Sequence, residues 1–189
     1  MKTLVFTFLL SSIGLLSATA QVHLKGQRFI DVQAGLTDGL RPGSGQSGLN
    51  AIVSTGQSNR HYNAWKLTFN FTQIRVKMAY KVDAIPVQQY AVGWGYEFNL
   101  WRNPVRTRFV RATIQPMAFY ESVQPYSGRL APDSTAIRPT LNSRFLLGAD
   151  IGVEVELSPI VFSIRQRWNP KSSVQPFHTL LNIGWRFHR

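Results

Sequence analysis

The sequence predicts an all-β chain, an antiparallel up-and-down transmembrane β-barrel of about eight strands. Three observations carry this. Apolar and polar residues alternate with period two in eight separate segments, long and short connections alternate between them, and no stretch beyond the first 20 residues is apolar enough for a membrane helix. A strand turns successive side chains to opposite faces, so alternation of large apolar with small or polar residues gives a two-faced strand. A chain that crosses a bilayer without helices must close its strands into a barrel, because lipid offers no partner for an open edge.

The clearest strand runs from Gln88 to Leu100. Tyr90, Val92, Trp94, Tyr96, Phe98 and Leu100 share one face; Gln89, Ala91, Gly93, Gly95, Glu97 and Asn99 share the other. A face of six large apolar residues on so long a strand suits lipid, and spanning strands need about 9–11 residues. The pattern recurs elsewhere. Ile30, Val32, Ala34 and Leu36 alternate with Asp31, Gln33 and Gly35; Trp65, Leu67, Phe69 and Phe71 alternate with Lys66, Thr68 and Asn70. Ala149, Ile151, Val153, Val155 and Leu157 alternate with Asp150, Gly152, Glu154 and Glu156. Phe177, Leu181, Ile183, Trp185 and Phe187 alternate with His178, Asn182, Gly184 and Arg186, which leaves an aromatic near the end of the last strand. The alternation is weaker in Leu49 to Gln57, Thr107 to Tyr120 and Ile160 to Trp168, and the two faces of the Thr107 segment are mixed. Pro116 cannot donate to a ladder, so a bulge or strand end is expected there.

Among the connections, Thr37 to Gly48, Gln73 to Pro86, Val123 to Ser143 and Asn169 to Gln175 are the longer ones. Ser58 to His61, Trp101 to Pro104 and Leu157 to Pro159 are tight. Outer-membrane barrels have short periplasmic turns and longer outer loops, which puts both ends of the barrel on the periplasmic side. The chain starts with Lys2, an apolar run from Leu4 to Leu16, and Ala18-Thr19-Ala20. This is the pattern of a secretory signal cleaved after Ala20. Residues 1–20 are therefore expected to be the signal and 21–189 one barrel domain. With no cysteine, neither a lipoprotein anchor nor a disulfide is possible.

The net charge is +12, from 21 Lys and Arg against 9 acids. The basic residues are scattered through different segments, which fits lumen and membrane-rim charge better than a nucleic-acid footprint. Lipid and lipopolysaccharide are the expected surroundings, and no direct nucleic-acid contact is expected. The residues expected to face inward carry both signs: Lys66, Glu97, Arg111, Asp150, Glu154, Glu156, Arg165, Arg167 and Arg186. Those expected to face lipid as an aromatic set are Trp65, Phe69, Tyr90, Trp94, Tyr96, Phe98, Trp185 and Phe187. The interior of a barrel of about eight strands is filled by side chains. Buried charges need partners, so the inward set predicts a salt-bridged plug rather than a pore.

No catalytic set, metal site or cofactor site is expected. The histidines are His23, His61, His178 and His188. His178, with Ser172 or Ser173 and an acid, could form a hydrolase triad, but nothing in the spacing singles these out. There is no cysteine and no paired-histidine motif for a metal. Gly43 to Gly48 lacks the Lys-Ser/Thr ending of a phosphate loop.

Several segments, in order, resemble the conjugal transfer protein TraO family of Bacteroidetes conjugative transposons. They are Gly26-Gln27-Arg28 leading to Asp31-Val32-Gln33-Ala34-Gly35-Leu36, the stretch IPVQQYAVGWGYEFNL from Ile85 to Leu100, and Phe119 to Val123. Gly148 to Leu157 and Asn182 to Phe187 follow. The resemblance implies an outer-membrane barrel component of a conjugative DNA-transfer apparatus, with other subunits of that apparatus as partners and no catalytic residues. The alternatives are a standalone outer-membrane barrel of adhesion or stress-resistance type, and a soluble periplasmic lipocalin-like binder.

Overall fold

The computed structural model describes residues 25–39, 48–76, 85–123 and 143–189. The expected signal segment and most of the longer loops lie outside the described residues. Eight strands follow one another: β1 (Arg28–Thr37), β2 (Gly48–Ser58), β3 (Ala64–Val76), β4 (Ile85–Arg102), β5 (Arg108–Val123), β6 (Arg144–Leu157), β7 (Ile160–Trp168) and β8 (Phe177–His188). Each pairs antiparallel with its neighbours in sequence, and β1 pairs with β8, so the sheet closes. Closure removes the edges that would otherwise leave backbone groups unpaired. The seam is completed beyond the strands by reciprocal bonds between Arg28 and Arg189, whose backbone nitrogens donate to each other's carbonyls at 3.2 and 2.9 Å.

The faces are inverted relative to a soluble barrel. Val32, Val53, Phe69, Val92, Ala118 and Leu147 form one cross-strand row on the outer wall of β1 to β6, and all six are exposed. The inward positions hold Asp31, Lys66, Thr68, Gln89, Glu97, Arg165 and Arg186, all nearly inaccessible. An apolar wall around a polar interior is the arrangement lipid demands. It overturns the lipocalin-like alternative, whose apolar residues would line the inside.

Two details differ from expectation. β5 continues through Pro116, which stands opposite Ala149 of β6. On the β4 side no pairing is made between Trp94–Gly95 and Gln115–Pro116, and pairing resumes in the same register. The missing N–H of proline is thus absorbed as a gap in one ladder rather than as a bulge. The register shift lies instead between Asn99 and Trp101, near the end of β4. An extra residue there turns Leu100 and Trp101 both outward and re-aims Arg102, as bulges at barrel rims do. In addition, Gln73 to Val76 belongs to β3, and Ile85 and Pro86 belong to β4, so that connection is shorter than expected.

The barrel therefore has a turn end and a loop end. The turn end carries the β2–β3, β4–β5 and β6–β7 turns and both barrel termini. The loop end carries the four longer connections.

Candidate functional site

The site begins with the inward residues of six strands. β1 contributes Asp31, β3 Lys66, β4 Glu97, β6 Glu154 and Glu156, β7 Arg165 and β8 Arg186. Lys66 Nζ lies 2.7 Å from Glu97 Oε1, 2.8 Å from Glu154 Oε1 and 3.2 Å from Asp31 Oδ2. The Arg186 guanidinium reaches all four carboxylates: Asp31 at 3.0 Å, Glu97 at 3.0 Å, Glu154 at 2.7 Å and Glu156 at 3.2 Å. Arg165 pairs with Glu154, and Arg111 of β5 pairs with Glu156. Four acids and four bases thus meet in one solvent-excluded network, which satisfies the demand that buried charge be compensated. His188 Nε2 sits 3.1 Å from Glu156 Oε1 at the turn-end edge.

Sequence makes room for these long side chains. Gly152 stands opposite Arg165 across β6 and β7. A Cβ on Gly152 would fall 2.7 Å from Arg165 Cγ and 2.5 Å from the Ile164 carbonyl oxygen. The stem of Arg165 therefore crosses the lumen over a bare backbone. Arg186 also lies over the Phe29 ring at 4.4 Å and Arg111 over Phe109 at 4.4 Å; such contacts hold guanidinium planes in place.

Above the network toward the loop end is a neutral polar layer. Gln115 Nε2 donates to Thr68 Oγ1 at 2.9 Å, Ser163 Oγ donates to Gln33 Oε1 at 2.7 Å, and Asn182 Nδ2 donates to Ser163 Oγ at 3.1 Å. Next comes a separate ion pair, Arg167 Nε and Nη2 to the two oxygens of Asp150, both at 2.9 Å. This fork-to-fork geometry is the strong form of the interaction. Met117, Phe119, Leu146 and Ala91 then form an apolar plug, and Ile74 and Val87 pack with Val123 and Val174.

All nine residues of the expected inward set lie inside the barrel, none more than 2 % exposed. Seven share the network; Asp150 and Arg167 form the pair above it. The expected lipid-facing aromatics lie on the outer wall. Tyr96 is the half-buried one, because its hydroxyl accepts a 2.8 Å bond from Asn59 Nδ2 in the β2–β3 turn. Sequence reasoning did not place Asp31 in the charge set, although alternation within β1 put it on the polar face. It missed Asp38 and Glu121 as well.

Those two acids organise the loop end. Ser172 Oγ donates to Glu121 Oε2 at 2.8 Å, the Ser173 amide donates to Glu121 Oε1 at 3.0 Å, and Gln89 Nε2 donates to Glu121 Oε2 at 2.9 Å. Asp38, with a left-handed φ of 56°, accepts from the Thr179 amide at 2.8 Å and from Gln175 Nε2 at 2.7 Å. Its carboxylate also meets His178 Nδ1 at 2.7 Å. The histidine and the serines considered for a triad are thus held by two different acids, Asp38 for His178 and Glu121 for Ser172 and Ser173. Asp38→Ala is expected to loosen the 169–176 connection by removing its anchor and orphaning buried partners. Trypsin cleavage after Lys171, followed by mass spectrometry, should speed up about tenfold (~1.4 kcal/mol, within the range for such a loss). An unchanged rate would mean that Asp38 does not hold this segment.

Among solved structures, the Yersinia pestis outer membrane protein Ail in a phospholipid bilayer nanodisc is similar at 13% identity with a TM-score of 0.50. The match covers 86% of this chain and 100% of that one. Ail in complex with the heparin analogue sucrose octasulfate matches at 14% identity and TM-score 0.47, over 87% of this chain and 100% of that one. A de novo designed transmembrane β-barrel matches at 11% and 0.41, over 89% and 100%. At these identities the likeness is one of fold. No curated protein matches. The family model for the conjugative transposon protein TraO matches residues 24–188, nearly the whole chain. With the segments quoted from the sequence spread over the same span, the chain belongs to the conjugative transposon protein TraO family.

Proposed function

We propose that this protein is a non-catalytic outer-membrane component of a conjugative DNA-transfer apparatus, with a structural or docking role. In this reading it is exported by a signal removed after Ala20, and residues 21–189 form the barrel, surrounded by lipid and lipopolysaccharide. Other subunits of the apparatus are its partners.

The observation that carries the docking role is the filled lumen. From Phe29 and Phe109 at the turn end, through the Lys66–Arg186 network, to Phe119 and Leu146 at the loop end, successive levels hold side chains at most 5 % exposed. A lumen closed in this way transmits neither DNA nor a solute. The inward side chains hold the wall rigid, and the two rims are left as working surfaces.

The test is mating frequency from a donor lacking the gene, with and without a complementing copy. The expected result is a large drop restored by complementation. An unchanged frequency would remove this copy from the transfer apparatus and favour a standalone barrel whose outer loops do the work.

A further inference from the structure

We propose that a cationic cup at the turn end binds an acidic peptide segment of a periplasmic partner. The inference rests on the docking role above and names its surface.

Charge in this protein is sorted by position. All seven described Asp and Glu side chains are buried, none more than 4 % exposed. At the loop end the exposed Arg144 reaches one of these buried acids, Glu121, at 3.8 Å. Among the described residues, Lys25, Arg28, Arg60, Arg102, Arg106, Arg108 and Arg189 are exposed at the turn end, and Arg75, Arg144 and Lys171 at the loop end. A field of one sign attracts a ligand of the other.

Four of the turn-end bases line one cavity of about 580 Å³. Lys25 precedes β1, Arg60 lies in the β2–β3 turn, and Arg102 and Arg106 flank the β4–β5 turn. The size falls within the range of ligand pockets. Tyr62 belongs to its wall, with the Arg102 guanidinium 4.3 Å and the Arg106 guanidinium 5.8 Å from its ring centroid. The Tyr62 and Phe109 rings are 6.0 Å apart, which seats the cup on the closed end of the lumen. Arg102 stands opposite inward-facing Phe109 past the Leu100 bulge, so the cup faces along the barrel axis and not onto the lipid-facing wall.

Two polar atoms of the cup have no partner. The Tyr62 hydroxyl is buried without a hydrogen bond, and so is Asn99 Oδ1. A buried polar group left so costs about 1–3 kcal/mol. Tyr62 and Arg106 also hold left-handed φ values of 64° and 61°, a region that side chains other than glycine rarely adopt and that recurs at binding sites. The unpartnered pair decides the ligand class. Tyr62 offers a donor, which a carboxylate accepts; Asn99 Oδ1 needs a donor, which a peptide N–H supplies and a phosphate diester does not. Acidic side chains on a peptide backbone meet both needs and neutralise the arginines.

The experiment uses the folded barrel in non-ionic detergent and a fluorescent capped hexaglutamate peptide, read by anisotropy. Saturable binding that weakens as salt rises is expected, with none by a capped hexaglutamine peptide. Arg102→Gln with Arg106→Gln should weaken binding at least tenfold, and Tyr62→Phe and Asn99→Ala about threefold each. Heat-modifiable migration verifies that each variant is folded; if the arginine pair is not, Lys25→Gln with Arg60→Gln serves the same purpose from exposed positions. No saturable binding, binding indifferent to these variants, or tighter binding of inorganic phosphate or phosphatidylglycerol micelles at the same residues would overturn the proposal. These readings are independent of mating frequency, so the cup can fail while the transfer role stands, and the reverse.

Discussion

Arg186→Met is expected to cost about 3–5 kcal/mol of barrel stability, the range for breaking a buried ion pair from one side. The reason is the geometry of the network. Among the described residues, Arg186 is the one base that reaches Asp31, Glu97, Glu154 and Glu156 together. Methionine fills part of its volume but leaves four carboxylates facing three bases in a site that solvent does not reach. Lys66 still serves Asp31, Glu97 and Glu154, and Arg111 still serves Glu156, so the cost is that of one uncompensated charge and not of a collapsed network. Adding Glu97→Gln to Arg186→Met removes that excess charge and is expected to recover a good part of the loss, since neighbours in one network are not additive. Urea unfolding in lipid vesicles measures all three proteins. A single variant within about 0.5 kcal/mol of wild type, the scatter of ordinary surface substitutions, would mean that the network does not stabilise the barrel.

The wall was legible because its signal is local. Alternation in β4, from Tyr90 and Gln89 to Leu100 and Asn99, fixes both the strand and its faces from a few neighbouring residues, and the inward charges follow from parity alone. What parity could not give is who meets whom. Lys66 and Glu154 are 88 positions apart, and their contact depends on barrel closure, strand stagger and the space left by Gly152. Asp38 was missed for another reason. It lies just past β1, where alternation stops, and it reaches His178 through a left-handed backbone that no apolar pattern announces. A strand end or a bulge was expected at Pro116 because proline carries a visible defect. The bulge lies at Leu100, where it brings Arg102 opposite Phe109 at the mouth of the barrel, a pairing that no local pattern announces.

The turn-end cup shows the same limit. Its bases come from Lys25, Arg60, Arg102 and Arg106, which look scattered along the chain and gather because two tight turns and the start of β1 share one rim. Their prominence also depends on where the acids went. With every described Asp and Glu side chain drawn inside, the excess of bases among the described residues becomes a property of the surface.

The outer wall makes the opposite prediction to the lumen. Phe69 lies near the middle of β3, exposed, between Val53 on β2 and Val92 on β4. Phe69→Arg puts one cation among outward apolar side chains with no acid near it, and should cost about 2–4 kcal/mol, the range for Arg or Lys at the bilayer midplane on the lipid face of a barrel. Arg75, on the same outward parity of β3 but at its loop end, is tolerated there because the rim lets a guanidinium reach water. The size of the loss should therefore depend on depth: Arg at Phe69 costs most, and Arg at Gln73, one outward position before Arg75, costs about 0–1 kcal/mol. Urea unfolding in vesicles of the two variants reads this directly. Equal costs at both depths would deny a bilayer around this wall, because in water or against a protein partner no such gradient exists. The gradient is also independent of the lumen: Arg186→Met breaks compensation inside and is indifferent to the thickness of the surrounding bilayer, whereas the Phe69→Arg penalty should grow in vesicles of longer-chain lipid, as the charge is carried farther from either interface.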